Sequence, residues 1–265
     1  MDKIGVGIVT CNRPKFFLKC FRSIPDDFLL AVVNDGADFE DIDKLSKEKS
    51  FTYFHNHTNL GVGKSKNILF RYLLDSGCDH IFIIEDDIIV KDPSVFRKYI
   101  EASKKSGIEH FLFGYHGPAN RGNVSKGAPT PRFIIDYKDF KIAFNANCVG
   151  AFCYYTKNCL QKIGLIDEEF LNAFEHVEHS YRLAKAGFCT PYYYWPDLAN
   201  SCDLLEEAEC SELSSAIRPR DDWMDNIKRG ALLFKNKHKY SPAWDNAVPD
   251  TPHQEVLNML KKLKK

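Results

Sequence analysis

Ile81-Phe82-Ile83-Ile84-Glu85-Asp86-Asp87 is the stretch whose reading decides the fold. Four apolar residues without polar alternation describe a strand covered on both faces, and such strands belong to parallel sheets flanked by helices. Upstream the same grammar repeats. Ile4 to Val9 reads as a strand, Cys11-Asn12-Arg13-Pro14 as a turn, and Lys15 to Arg22 as a helix. A second strand, Leu29 to Val33, stops at the turn signal Asn34-Asp35-Gly36. Phe51 to Phe54 is a third, ending near Asn59-Leu60-Gly61, and a helix follows over Gly63 to Asp75. Downstream, Pro93 opens a helix to about Lys105, and Phe111-Leu112-Phe113 is the next strand. Alternation of this kind predicts an α/β fold, a Rossmann-like, mostly parallel central sheet flanked by helices.

The second half is less regular. Gly117 to Pro131 is rich in Gly, Pro, Asn and Ser and reads as a mobile loop or a seam between two lobes. Strands are expected near Phe133 to Asp136, Val149 to Tyr155 and Tyr192 to Trp195, with a helix over Val177 to Ala186. Asp203 to Arg220 reads as a lid, followed by helices over Asp222 to Lys235 and at the C-terminus.

Lysine plus arginine equals aspartate plus glutamate at 36 each, which argues against a global field recruiting nucleic acid. Nine cysteines with no C-x-x-C pair fit a reducing compartment better than a disulfide framework. Met1-Asp2-Lys3 leads straight into a strand, without a signal peptide, and no apolar run approaches the ~20 residues of a membrane span. A soluble, cytoplasmic protein is expected.

Ligands of open parallel sheets bind beyond the carboxyl ends of the strands. Three strands end there in polar segments: Thr10-Cys11-Asn12, Asn34-Asp35-Gly36 and Glu85-Asp86-Asp87. Adjacent carboxylates repel, and a hard divalent cation, Mn²⁺ or Mg²⁺, would relieve them while bridging to a substrate phosphate. The competing reading is a solvated turn at a strand end. Asp35 suits a nucleobase N–H or a ribose hydroxyl. Gly61-x-Gly63-Lys64-x-Lys66-Asn67 opens a helix with glycines and two lysines, a reasonable approach to a diphosphate.

These motifs together resemble the family-2 glycosyltransferases of the GT-A fold. Ile8 to Pro14 looks like that family's first-strand motif, Val32 to Gly36 its base-binding strand end, and Asn59 to Asn67 its loop into the third helix. Ile83-Ile84-Glu85-Asp86-Asp87 is similar to its D-x-D element. The resemblance covers roughly residues 4–195. It implies a UDP-type nucleotide sugar, with Thr10, Asn12, Arg13, Asp35, Gly61, Lys64, Lys66, Glu85 and Asp86 on the donor side and Asp87 as principal metal ligand. Residues 1–116 would be the nucleotide-sugar half, 117–220 a smaller acceptor-side lobe, and 221–265 a C-terminal helical extension of one compact domain.

Gly164 to Phe170, then Glu175-His176-Val177-Glu178 and Arg182, is similar to the family's acceptor-side segment. Inverting members carry an acidic pair there, whose second position usually supplies the base; here that position is His176. Glu175 is the first expectation for the base and His176 the second. Glu178 and Gly150 are expected to meet the acceptor, and the bland alternative is that the acids and histidines cap and solvate a helix. The family's further metal-side histidine has no counterpart after Trp195. His238 and His253 are possible substitutes, and the third metal position stays open. The acceptor can be a glycan, a lipid-linked molecule, a protein or a modified nucleic acid. Val256, Leu257, Leu260 and Leu263 form an apolar stripe on a basic C-terminal helix, which suits a membrane surface or docking on the parent domain. Inverting transfer is the leading reading; a retaining transferase and a non-catalytic nucleotide-sugar sensor are the rivals.

Overall fold

The computed structural model describes residues 2–39, 42–124, 127–208, 221–240 and 253–263. Strands β1 (Ile4–Thr10), β2 (Leu29–Asn34), β3 (Thr52–His55) and β4 (His80–Glu85) are mutually parallel. They belong to a six-stranded sheet of order β3-β2-β1-β4-β9-β6, completed by β9 (Phe152–Thr156) and β6 (His110–Leu112). β9 runs antiparallel to both of its neighbours, so β6 again points the same way as β4.

The unbroken apolar run of β4 is explained by what covers it. Ile81 and Ile83 point into a core built with α3 (Val62–Asp75), through Leu69, Phe70 and Leu73. Phe82 and Ile84 point into the opposite core, where α1 (Pro14–Ser23) supplies Phe17 and Phe21 and α4 (Val95–Ser106) supplies Phe96 and Tyr99. Both faces are dry, and period-2 polarity would have left a buried polar row.

Three elements that the sequence leaves unassigned flank this frame. They are α2 (Ile42–Glu48), β5 (Ile88–Val90) and α5 (Lys157–Ile163). A second sheet, antiparallel, has the order β10-β8-β7, from β7 (Phe133–Asp136), the unpredicted β8 (Lys141–Asn145) and β10 (Trp195–Leu198). Ile142, Ala143, Phe144 and Leu198 of that sheet share the core of α1 and α4. β5 pairs with β11 (Leu205–Glu207), which follows the short α7 (Ser201–Leu204).

Two expectations are corrected, and a third falls largely outside the described residues. The aromatic run Tyr192 to Tyr194 is a turn with Tyr193 at φ 69°, and the strand is Trp195–Leu198. α6 (Glu175–Lys185) starts two residues before Val177, directly after Phe174 in the left-handed region at φ 66°, which puts Glu175 in its first turn. The segment expected as a lid begins with α7 and β11, and residues 209–220 lie outside the described residues. Residues 117–124 and 127–131, by contrast, carry no helix or strand, as their composition foretells. α8 (Trp223–His238) packs Gly230 and Phe234 onto Phe174 and Tyr181.

The C-terminal helix α9 (His253–Leu263) uses the start of its apolar stripe internally. Val256 is fully buried in the main core, and the His253 ring packs on Phe133 and Tyr194. This end of the helix docks on the domain, and the stripe is not left whole for a membrane surface; the side chains of Leu260 and Leu263 lie outside the described residues. Among the described residues no helix is long and apolar enough to cross a membrane, and the eight cysteines are free thiols.

The closest approach of α3 to the sheet needs glycine. A Cβ on Gly5 of β1 would sit 2.7 Å from Cys78 Sγ and 2.8 Å from a Leu73 methyl. Gly5→Ala is therefore expected to destabilise the protein by about 1–3 kcal/mol through overpacking, read as a lowered urea midpoint at unchanged slope.

Candidate active site

The chain leaves β1 toward β2 and β3, then crosses to β4 on the other side. The crevice between the carboxyl ends of β1 and β4 is thus the switch point where ligands of open α/β sheets bind. Thr10 and the acidic triplet face each other across it. The Thr10 hydroxyl donates to Asp86 Oδ2 at 2.6 Å.

Each acid of the triplet meets a cationic side chain. The guanidinium of Arg13, at the start of α1, forks onto Asp86 Oδ1 and onto Asp87 Oδ2 at 3.2 Å. Lys66 of α3 is buried and donates to Glu85 Oε1 at 2.7 Å. Asp87 Oδ1 lies 3.4 Å from Nε2 of His116, which is 3.6 Å from Glu207 Oε1. Protein cations already offset much of the triplet's charge, so neutrality alone does not call for the metal expected there. Burial pushes the Asp86 carboxyl up to about 7, against the pull of Arg13. Burial also opposes charge on Asp87 and His116, yet their attraction prevails, holding Asp87 low and His116 at about 9.

His116 and Glu207 are the residues that sequence reading misses. β6 is parallel to β4, so Gly114-Tyr115-His116 leaves the same sheet edge as the three strand ends that were noticed, and the same criterion would have found it. The loop is fixed from beneath. Asp197 of β10, fully buried, accepts from the Gly114 amide at 2.9 Å, from Ser201 at 2.7 Å and from the Tyr99 hydroxyl. Glu207 Oε2 accepts from the Gly117 amide at 3.0 Å, and the next amide, Ala208 N–H, donates to the Asp87 carbonyl at 2.7 Å.

The expected nucleobase contact Asp35 is buried and is a tether. Oδ1 accepts from the Leu60 amide at 2.8 Å and Asn56 at 2.7 Å, and Oδ2 from the Gly61 amide at 2.9 Å. Asn12, at φ 55°, accepts from the Ala37 amide at 2.7 Å, so its side-chain oxygen fixes the turn after β2. Gly61 caps α3 at φ 89°, a conformation glycine adopts without strain. The first turn of α3 packs closely here, since a methyl added to Gly63 would lie 3.2 Å from Ile166 Cγ2 and in ordinary contact with Glu175 Cβ at 3.5 Å. Lys64, on that same turn, is half-buried.

Lys66, expected near a diphosphate, is instead a bridge from the triplet to the backbone beneath His176. Besides Glu85 it donates to the Gly150 carbonyl at 3.0 Å. Gly150 in turn underlies the His176 ring, since a Cβ there would lie 2.5 Å from Cγ of the imidazole. Burial opposes charge on Lys66, but the Glu85 and Glu175 carboxylates hold its pKa above the ordinary lysine range.

Glu175 and His176 form a dyad, with Glu175 Oε1 2.9 Å from His176 Nδ1. The Glu175 side chain is 5% exposed and that of His176 24%. Burial raises the Glu175 pKa, but His176 and Lys66 outweigh it and hold it at about 2. Glu178 is corrected. Both of its oxygens are held by Arg182 Nε, at 2.8 and 3.0 Å, and Oε1 also meets His238 at 3.1 Å, so this buried acid staples α8 to α6 and does not face an acceptor. Arg182 also donates from Nη1 to the Ile163 carbonyl and from Nη2 to the Leu165 carbonyl. His238 and His253 are thereby engaged away from Asp87.

Among the described residues no group of three or more His, Cys, Asp or Glu side chains is arranged to hold a metal ion as it stands. The chemistry that fits one is a pair of buried atoms without hydrogen-bond partners, Asp87 Oδ1 and His116 Nε2, facing each other. Sites that take a divalent cation together with a substrate phosphate commonly offer only one or two protein ligands.

A structural comparison gives TM-scores of 0.57 to TarS of S. aureus and 0.56 to a mannosyltransferase from Pyrobaculum calidifontis in complex with GDP-Man and Mn²⁺. For GalNAc-T7 with UDP, GalNAc and Mn²⁺ the TM-score is 0.59. This is the GT-A fold. The matches cover 98%, 98% and 99% of this chain at 14%, 11% and 12% identity. The chain spans 42% of the TarS chain, 69% of the mannosyltransferase and 54% of GalNAc-T7. In sequence it is 24% identical over 231 residues to an uncharacterized glycosyltransferase of Acanthamoeba polyphaga mimivirus, covering 81% of this chain and 85% of that one. No protein-family model matches.

Two outcomes test the site's electrostatics. Lys66→Met removes the partner of the part-exposed Glu85 and of the Gly150 carbonyl and is expected to cost about 1–3 kcal/mol, with Lys66→Met/Glu85→Leu recovering part of it in denaturant melts. His110 of β6 and His179 of α6 are buried, and burial lowers their pKa values to about 4 and about 3. Both folded values lie below the ordinary 6.5, so the stability these groups lend is whole above that pH and is lost as pH falls through 4 and 3. Unfolding free energy should drop by about 2 kcal/mol per histidine between pH 7 and pH 5. His110→Gln should flatten that slope.

Proposed function

We propose that the chain transfers a sugar from a nucleotide sugar, UDP-linked in this reading, to an acceptor hydroxyl with inversion of the anomeric centre. One observation carries it: Lys66 ties the strand-end acids of a GT-A switch-point crevice to the Glu175–His176 dyad, which brings donor-type and base-type chemistry together. The ligands bound by structurally similar proteins, UDP, GDP-Man and Mn²⁺, support a nucleotide sugar and a divalent cation. A hexosyl and an N-acetylhexosaminyl donor fit this reading equally. The division of labour follows the chain, with residues 1–116 serving the donor, 117–220 the acceptor, and 221–265 as a helical extension.

In this reading Asp87, and His116 once the arriving cation displaces its Nε2 proton, with Glu207 beside them, would hold Mn²⁺ or Mg²⁺, which supplies positive charge toward the departing diphosphate. Arg13 and Lys64 bind phosphate oxygens, a task suited to a planar fork and to a point charge at a helix start. Asp35 and Asn12 act by holding the loops that bound the nucleoside. His176 takes the acceptor's proton. Glu175 is too deeply buried and too acidic to be reached, and it orients Nδ1–H so that Nε2 keeps the lone pair. The base assignment thus moves from Glu175 to its neighbour.

Nucleotide release from a panel of sugar donors, with Mn²⁺ and candidate acceptors, tests this. His176→Gln should lower kcat by about 100-fold or more with little change in the donor KM. Asp87→Ala should lose turnover, and the product anomer seen by NMR should be inverted. Undiminished turnover in Asp87→Ala, or in wild type with chelator, would remove the metal role, and a retained anomer would remove His176 as base.

A further inference from the structure

The acidic pair Asp86-Asp87 shares one guanidinium. Arg13 spans both carboxylates with its two terminal nitrogens, and its side chain is still 15% exposed. Its backbone is held in place: it follows Asn12, which is clamped to the Ala37 amide, and its own carbonyl receives the Phe16 and Phe17 amides. Any departure of the guanidinium is therefore a side-chain rotation, over the Phe16 ring that lies 5.6 Å from it. Asp86 Oδ2 is taken by Thr10, and Asp87 Oδ2 by Arg13. Asp87 Oδ1, buried and without a hydrogen-bond partner, is the oxygen left toward His116.

A divalent ion arriving at Asp87 in this state meets a guanidinium on the same carboxylate, and like charges in a partly buried site repel strongly. A diphosphate changes that, because guanidinium prefers bidentate contact with phosphate oxygens. We propose that Arg13 is an internal counter-ion of the nucleotide-free protein, competing with the divalent cation for Asp86-Asp87 until the diphosphate draws it away. Nucleotide and cation then bind cooperatively, and the cation binds weakly alone. This rests on the reading of Asp87 as the metal-holding residue.

Mn²⁺ binding, followed by the EPR signal of the free ion at fixed pH and ionic strength, tests it without turnover. Arg13→Met without nucleotide should bind Mn²⁺ about tenfold tighter than wild type, within the usual range of coupling between sites. Arg13→Lys, which keeps the charge, should stay close to wild type. Equal or weaker binding in Arg13→Met overturns the proposal. Arg13→Met/Asp87→Ala separates the two claims: lost binding upholds Asp87 as the ligand, while retained tight binding removes that reading and the proposal with it. Should Arg13→Met fail to fold, a crystal structure of the wild-type protein with Mn²⁺ and UDP decides. Arg13 on the phosphates supports the competition, and Arg13 still forked on both carboxylates refutes it.

Discussion

Three consecutive carboxylates at the end of a buried strand cannot stand in a narrow crevice without positive charge beside them, and the arrangement of the site follows from where that charge comes from. Glu85 is met by Lys66 from the helix after β3, Asp86 and Asp87 by Arg13 from the turn after β1, and Asp87 also by His116 from the loop after β6. Three separate parts of the chain are drawn to one point. Because Lys66 also binds the Gly150 carbonyl, that same charge fixes the floor beneath His176. The strand-end acids and the Glu175–His176 dyad are thus one electrostatic unit.

Supporting layers keep that unit in register. Asp35 reaches forward to the Leu60 and Gly61 amides and so sets the entrance to α3, which delivers Lys66. Asp197 holds the Gly114 amide and so sets the loop that delivers His116. Neither carboxylate needs to touch a ligand to matter. Each satisfies buried donors that would otherwise cost free energy, and each places a charged side chain about two to five residues away.

The parallel half of the fold was legible because its strands are covered on both faces and therefore read as apolar runs, with Ile81 to Ile84 the clearest case. What escaped was structure whose signal is shared with something else. Tyr192 to Tyr194 has strand composition but buries its rings from a turn. β8 carries only five residues between polar loops, and α2 has a single buried side chain, Leu45. The acidic triplet, Lys66 and the Glu175-His176 segment could be found as motifs, whereas their partners could not. Spacing does not reveal that Glu178 belongs to Arg182 and His238, nor that Arg13 already answers Asp86 and Asp87. His116 was readable in principle, as the polar residue just past a strand that points to the same edge.

The central claim is that the β1–β4 crevice binds the diphosphate of a nucleotide sugar with its sugar turned toward His176. A crystal structure of the protein with Mn²⁺ and an intact, non-hydrolysable UDP-sugar tests it most directly, with the anomalous signal of manganese locating the ion. The account predicts that signal beside Asp87 and His116, the diphosphate between them and the first turn of α3, and the anomeric carbon facing the His176 imidazole. Nucleotide bound away from this crevice, or a sugar turned from His176, would contradict it.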